Sequence, residues 1–146
     1  AGPSATFTIS RNTIQQWQFD QFGNSVVEDP TKEATVWGAD ANPDRDAKTN
    51  LFEFLHGCDP NVFEATPALT IGSNGNKTTY TFKKRDDLTG TTFKVQVANS
   101  PGGTFTDLAQ KSSTPLGGGF STVVYEDTAD VAPGNPRVAK IVITQP

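Results

Sequence analysis

Twelve consecutive residues, Asn42-Pro43-Asp44-Arg45-Asp46-Ala47-Lys48-Thr49-Asn50-Leu51-Phe52-Glu53, carry most of the oxygen chemistry of the chain. Set against the twelve-residue EF-hand loop, they place oxygen-bearing side chains at positions 1, 3, 5, 9 and 12. Asn42, Asp44 and Asp46 would each give one oxygen, and Lys48 would give its backbone carbonyl. Asn50 stands where a ligand or a water contact is expected, and Glu53 would reach back from the first turn of a helix and bind through both oxygens. The register is testable within the sequence, because starting at Asp40 puts Leu51 where a carboxylate is needed. Ca²⁺ takes six to eight hard oxygens, and a flexible loop closed by a helix delivers them. Asn42 in place of Asp removes a negative charge. Ala47 stands where the backbone of such loops turns with positive φ. Either change would weaken binding, and extracellular calcium sites work at dissociation constants of about 10⁻⁴–10⁻³ M. The plainer alternative is a solvated Asn/Asp turn that only caps the next helix.

The elements that must position this loop are legible on both sides of it. Asn12 followed three residues later by Gln15 is a helix start. Ile14, Trp17, Phe19 and Phe22 then supply an apolar side before Gly23 stops the helix. Residues 24–41 are irregular, with a helical turn expected around Glu33–Trp37. A second helix is expected over Asn50–His56, with Leu51, Phe52 and Leu55 inward and Gly57 beyond its end. Asp59-Pro60 prevents continuation. From Pro67 onward the pattern is of strands. Leu69 and Ile71 precede a Gly72–Asn76 turn, Tyr80 and Phe82 alternate with polar residues, and so do Phe93, Val95 and Val97. Further runs cover Thr104–Leu108, Ser121–Tyr125 and Val138–Thr144, with glycine turns at 102–103 and 117–119. Five or six short strands at this spacing predict a mainly β chain with an immunoglobulin- or fibronectin-like sandwich. Ahead of all this, residues 4–10 place Ala5, Phe7 and Ile9 on one face and polar residues on the other, the signature of a half-buried strand. The expected organisation is an N-terminal strand (1–11), a helix–calcium loop–helix module (12–65) and the sandwich (66–146).

Composition narrows the function classes. The chain has 146 residues, a formal net charge of −4, one Cys and one His. An acidic chain lacks the basic face that nucleic acid requires, and no apolar run approaches the ~20 residues of a membrane-spanning helix. One Cys excludes an internal disulfide, and one His excludes most histidine-based metal and catalytic sites. No Gly-rich segment opens a helix after a strand, and no carboxylate pair stands apart from the calcium loop, so the chain reads as a non-enzyme. There is no Met, and the chain opens on the small residues Ala1-Gly2-Pro3-Ser4, of the kind left by signal-peptide cleavage. The expectation is an exported protein, extracellular or at the cell surface.

The segment Ala41-Asn42-Pro43-Asp44-Arg45-Asp46, with Thr49-Asn50-Leu51-Phe52-Glu53-Phe54 and Gly57-Cys58-Asp59-Pro60 after it and Trp17 and Phe22-Gly23 before it, resembles a calcium motif of exported bacterial proteins. The motif is dockerin-like or thrombospondin type 3-like, and planctomycete and verrucomicrobial surface proteins carry it just before a β-sandwich. Leu69–Leu108 loosely resembles that sandwich. The last run, Val138–Thr144, departs from the aromatic-rich final strand of those proteins. The resemblance implies an extracellular module stabilised by calcium.

The remaining residues of chemical interest have ordinary readings. His56 ends the second helix, where a cation suits the dipole. Cys58 is a small buried residue, with an intermolecular disulfide as its alternative. Trp17, Trp37, Tyr80 and the Phe residues are core, the alternative being a sugar-stacking platform. Lys83-Lys84-Arg85 is a solvated strand end. Asn76-Lys77-Thr78 matches the N-glycosylation sequon, and Asp127-Thr128-Ala129 resembles a bacterial O-glycosylation site at Thr128.

An amphipathic strand standing ahead of its sandwich can complete the sheet of a neighbouring subunit, with Ala5, Phe7 and Ile9 filling pockets. Such head-to-tail contacts make filaments when they do not close. The first reading is therefore a structural subunit of an extracellular filament, self-associating through N-terminal donor strands and stabilised by calcium. The alternative is a monomeric calcium-binding module that spaces other domains or binds a glycan.

Overall fold

The computed structural model describes residues 11–146; the strand expected over residues 4–10, with Ala5, Phe7 and Ile9, lies outside them. Helix α1 (Thr13–Phe22) starts on a capping box: the Asn12 side chain accepts from the Gln15 backbone N–H, and the Gln15 side chain accepts from that of Asn12. Gly23 ends it at φ 80°, and a four-residue helix α2 (Asn24–Val27) follows. A 3₁₀ turn (Pro30–Lys32) leads into a π-helical turn (Glu33–Trp37), where a helical turn was expected. Helix α3 (Asn50–His56) ends at Gly57, which is left-handed at φ 70°. Its inward face differs from the expected one, because Phe54 is fully buried whereas Phe52 is half-buried.

Seven strands follow, in two antiparallel sheets. The first has the order β1 (Leu69–Asn74), β2 (Lys77–Arg85), β6 (Phe120–Asp130), β5 (Gln110–Gly117). The second has the order β4 (Thr106–Asp107), β3 (Thr92–Ala98), β7 (Val138–Thr144). Three boundaries depart from the sequence pattern. β1 runs on through Gly72 and Ser73, so the turn is the two-residue Gly75-Asn76, a glycine-containing hairpin connection. The run at 104–108 pairs only over Thr106–Asp107. β5 was not anticipated, because all eight of its residues are exposed and no apolar alternation marks it.

The two sheets meet over one core. Tyr80, Phe82, Val123 and Tyr125 of the first sheet pack with Val95, Val97 and Leu108 from the other side, and Ala139 and Ile141 of β7 border them. A second core holds the helices: Ile14, Trp17, Leu51 and Phe54, with Leu88 and Ile143 against them. Trp17 meets Phe22 and Phe54 edge-on, so it is a packing residue. Asp127 of β6 is buried and takes two hydrogen bonds of 2.8 Å from the guanidinium of Arg137, the residue before β7.

Candidate metal centre

β2 fixes α3, and α3 fixes Glu53. Arg85 Nε donates to the Phe54 carbonyl at 2.9 Å, and the Lys83 carbonyl lies 2.9 Å from His56 Nδ1. The Arg85 guanidinium also covers the rings of Phe54 and Phe120, at 4.7 and 4.9 Å. The basic run at the end of β2 is therefore not simply a solvated strand end, since Arg85 clamps the helix. His56 is 3% exposed, stacked on Phe52 and edge-on to Phe82. Burial pushes its pKa below the ordinary value, so it ends α3 as a neutral ring rather than as the cation expected to favour the dipole.

The loop before α3 doubles back on itself through its own side chains. Asn42 Nδ2 donates to the Asp46 carbonyl at 2.6 Å, and Asp44 accepts from the Asp46 N–H. The left-handed residue is Arg45, at φ 63°, and not Ala47 as the EF-hand register would have it. Asn50 is fully buried; its Nδ2 donates to the carbonyls of Val36 and Gly38, both at 2.8 Å. Those two bonds use the whole NH₂ group and fix the amide orientation. Asn50 also lies three residues before Glu53, on the same face of α3.

Carboxylate oxygens of Asp44, Asp46 and Glu53 come within 4.8 Å of one another, a cluster that could hold a metal ion. Five side-chain oxygens of the loop and helix are buried without a hydrogen-bond partner: Asn42 Oδ1, Asp44 Oδ2, Asn50 Oδ1 and both oxygens of Glu53. Buried polar atoms are normally paired, and burying an unpaired carboxylate is costly. Burial, then repulsion from Asp44 and Asp46, pushes the Glu53 carboxyl up to about 8. Asp46 behaves oppositely. Burial alone would raise its carboxyl, but hydrogen bonds from the Lys48 ammonium and backbone, at 2.9 and 2.5 Å, hold it low. A hard cation would partner the orphaned oxygens and compensate the converging charge, so the residues present fit a metal.

The Lys48 side chain has a place the sequence did not reveal. It is buried, and its Nζ bonds both Asp46 and the Glu64 carbonyl at 2.9 Å. The Glu64 N–H in turn donates to Asp46. Lys48 and Glu64 thus tie the loop to the segment that leaves α3. Their only sequence signal is a Lys inside an acidic run. Cys58, beside them, is half-buried, and burial, then the Glu64 neighbourhood, pushes its thiol up to about 12. Such a thiol is unreactive at neutral pH. Asn76, in the β1–β2 turn, and Thr128, near the end of β6, both lie exposed on neighbouring strands: the Val131 N–H donates to the Asn76 carbonyl at 2.7 Å, and the Lys77 ammonium donates to the Thr128 carbonyl.

No family model, curated protein or solved structure matches the chain.

Proposed function

We propose that the chain is a structural subunit of an extracellular filament, joined head-to-tail by addition of residues 4–10 to a neighbour's sheet and stabilised by Ca²⁺ bound at residues 42–53. The observation that carries the calcium reading is the set of five buried, unpartnered oxygens. With one oxygen of Asp46 the set reaches six, the lower end of calcium's range of six to eight. Mg²⁺ keeps several waters and seldom takes an all-protein cage, so the donor count favours Ca²⁺. The cation would supply charge compensation and cross-linking: it would join Asn42, Asp44 and Asp46 of the loop to Asn50 and Glu53 of α3, and so to β2. The immunoglobulin-like sandwich and the dockerin-like motif belong to this same reading.

The filament reading rests on the alternation of Ala5, Phe7 and Ile9 ahead of two sheets that have open edges. Main-chain hydrogen bonds along such an edge supply affinity, and alternate side chains supply fit. A second reading, a monomeric calcium module, gains support from the position of Asn12. Asn12 and Pro146 both sit against Gly90, so the described chain begins beside the end of its own β7. Electron microscopy and solution mass, both in calcium, separate the two. Fibres with a 15.6 kDa repeat that vanish when residues 1–10 are deleted are the expected result. A discrete monomer under the same conditions sinks the filament and leaves the second reading.

A further inference from the structure

Four strand edges are open among the described residues: β1, β5, β4 and β7. They are unequal as templates. β4 has two residues. β5 contains Pro115 and breaks register with β6 twice, which blunts an edge. β1 pairs with β2 over six residues, from Leu69↔Phe82 to Asn74↔Lys77, but only Leu69 of its apolar residues packs against the sandwich core, and Ile71, on the same face as Tyr80, is left 67% exposed. β7 pairs with β3 without a break over seven residues, from Thr92↔Thr144 to Ala98↔Val138, and its other side carries no partner among the described residues. Its length equals that of the alternating segment 4–10.

The two sheets also fail to close where β7 and β1 lie. Two cavities open there, and both are bounded by Leu69 of β1 and Ala139 of β7. One, of about 770 Å³, reaches Phe52, His56 and Ile141; the other, of about 490 Å³, reaches Ile71, Tyr80 and Val131. Ala139 and Ile141 face the sandwich core and Ile143 faces the helical core, so the odd-numbered residues of β7 point inward. A strand added to β7 with Ala5, Phe7 and Ile9 on the same side would lay those side chains into the gap.

Direction follows from where the donor begins. Asn12 lies at the Pro146 end of β7. A copy donating residues 4–10 antiparallel to a neighbour's β7 brings its own Pro146 end against that neighbour's Val138 end. The contact is heterologous and repeats in one direction, which builds a filament unless the rotation between copies closes a ring. Parallel addition would bring two Pro146 ends together, a geometry that suits reciprocal exchange in a closed dimer rather than a filament. Addition within the same chain would also have to be parallel, the slightly weaker pairing.

We infer that the open edge of β7 is the acceptor for residues 4–10 of a second copy, paired antiparallel, with Ala5, Phe7 and Ile9 filling the gap between β7 and β1. This rests on the filament reading and specifies its joint. The test uses full-length protein carrying Cys58→Ser. One copy carries Thr8→Cys and another Lys140→Cys, both on the outward faces of their segments, and the two are mixed and mildly oxidised. A disulfide-linked dimer is expected on mixing, and none when Ser73→Cys of β1 or Ser113→Cys of β5 replaces Lys140→Cys. Negative-stain images are taken of the same samples. Filaments without the 8–140 bridge overturn the β7 assignment and leave the filament standing. A single chain with Thr8→Cys and Val142→Cys that closes internally, with no filaments in the images, overturns both.

Discussion

Burial and the neighbouring Asp44 and Asp46 raise the Glu53 carboxyl from its ordinary 4.5 to about 8, so without a cation it carries its proton at neutral pH. A carboxyl whose folded pKa is raised contributes stability that is complete below the unfolded value and is lost as pH climbs through the folded one. The metal-free protein should therefore lose stability between about pH 4.5 and pH 8. Calcium should flatten that loss, because it binds the ionised form. Titrating Ca²⁺ at pH 7 in buffers of different ionisation enthalpy should show close to one proton released, and almost none above pH 9. Calcium at about 100 times its Kd should add ~2.7 kcal/mol to unfolding. Glu53→Gln should lose that gain while staying at least as stable as wild type in chelator at pH 8; a gain that survives the substitution removes Glu53 from the site. The cluster of Asp44, Asp46 and Glu53 was legible because its spacing is local to one loop and one helical turn. The buried Lys48–Asp46 pair and Glu64 were not, because they depend on how the segment after α3 folds back, and no spacing rule encodes that return.

At the scale of the elements, the boundaries that could be read in advance are those fixed by local chemistry. The Asn12–Gln15 capping box, Gly23 and Gly57 mark the ends of α1 and α3 where the pattern put them. β5 went unseen because an exposed edge strand has no burial to enforce alternation, and Phe52 was misjudged because β2, rather than helix periodicity alone, decides which face of α3 is covered. Gly57 does two things at once. It sits at φ 70°, and a Cβ there would stand 2.3 Å from the Phe120 ring. Gly75, at φ 58° with nothing within 4 Å, isolates the backbone effect. Gly75→Ala should cost about 1–2 kcal/mol in urea unfolding, the penalty of a left-handed L-residue. Gly57→Ala should cost more, by a further ~1–3 kcal/mol of overpacking. It should also weaken calcium binding, since the displaced ring lies under Arg85, which holds α3. Equal losses at the two glycines would show that the end of α3 can shift away from β6 freely.

For the molecule as a whole, two separate cores are joined by a few named contacts. The sandwich core is built from β2, β3 and β6 with Leu108, and the helical core from α1 and α3; Ile143 and Leu88 join them, along with the His56 and Arg85 contacts to β2. A core of four buried residues is small, and its helices are short, so its stability depends on what holds α3 to the loop before it. The proposed cation is placed to do this. Both Trp residues of the chain, Trp17 and Trp37, lie in the helical part, so Trp fluorescence reports that part alone, while far-UV circular dichroism also registers the seven strands. In calcium the two thermal transitions should coincide, as one cooperative unit requires. In chelator the fluorescence transition should move to lower temperature by several degrees more than the dichroism transition. The proposed donor segment, residues 4–10, leads into Asn12 at the start of the helix that would melt first, so on the filament reading loss of calcium should also slacken the proposed joint between subunits before any sandwich unfolds. If the two probes remain superimposed in chelator, the helical part is held by the sheets alone, and calcium acts only on the loop that binds it.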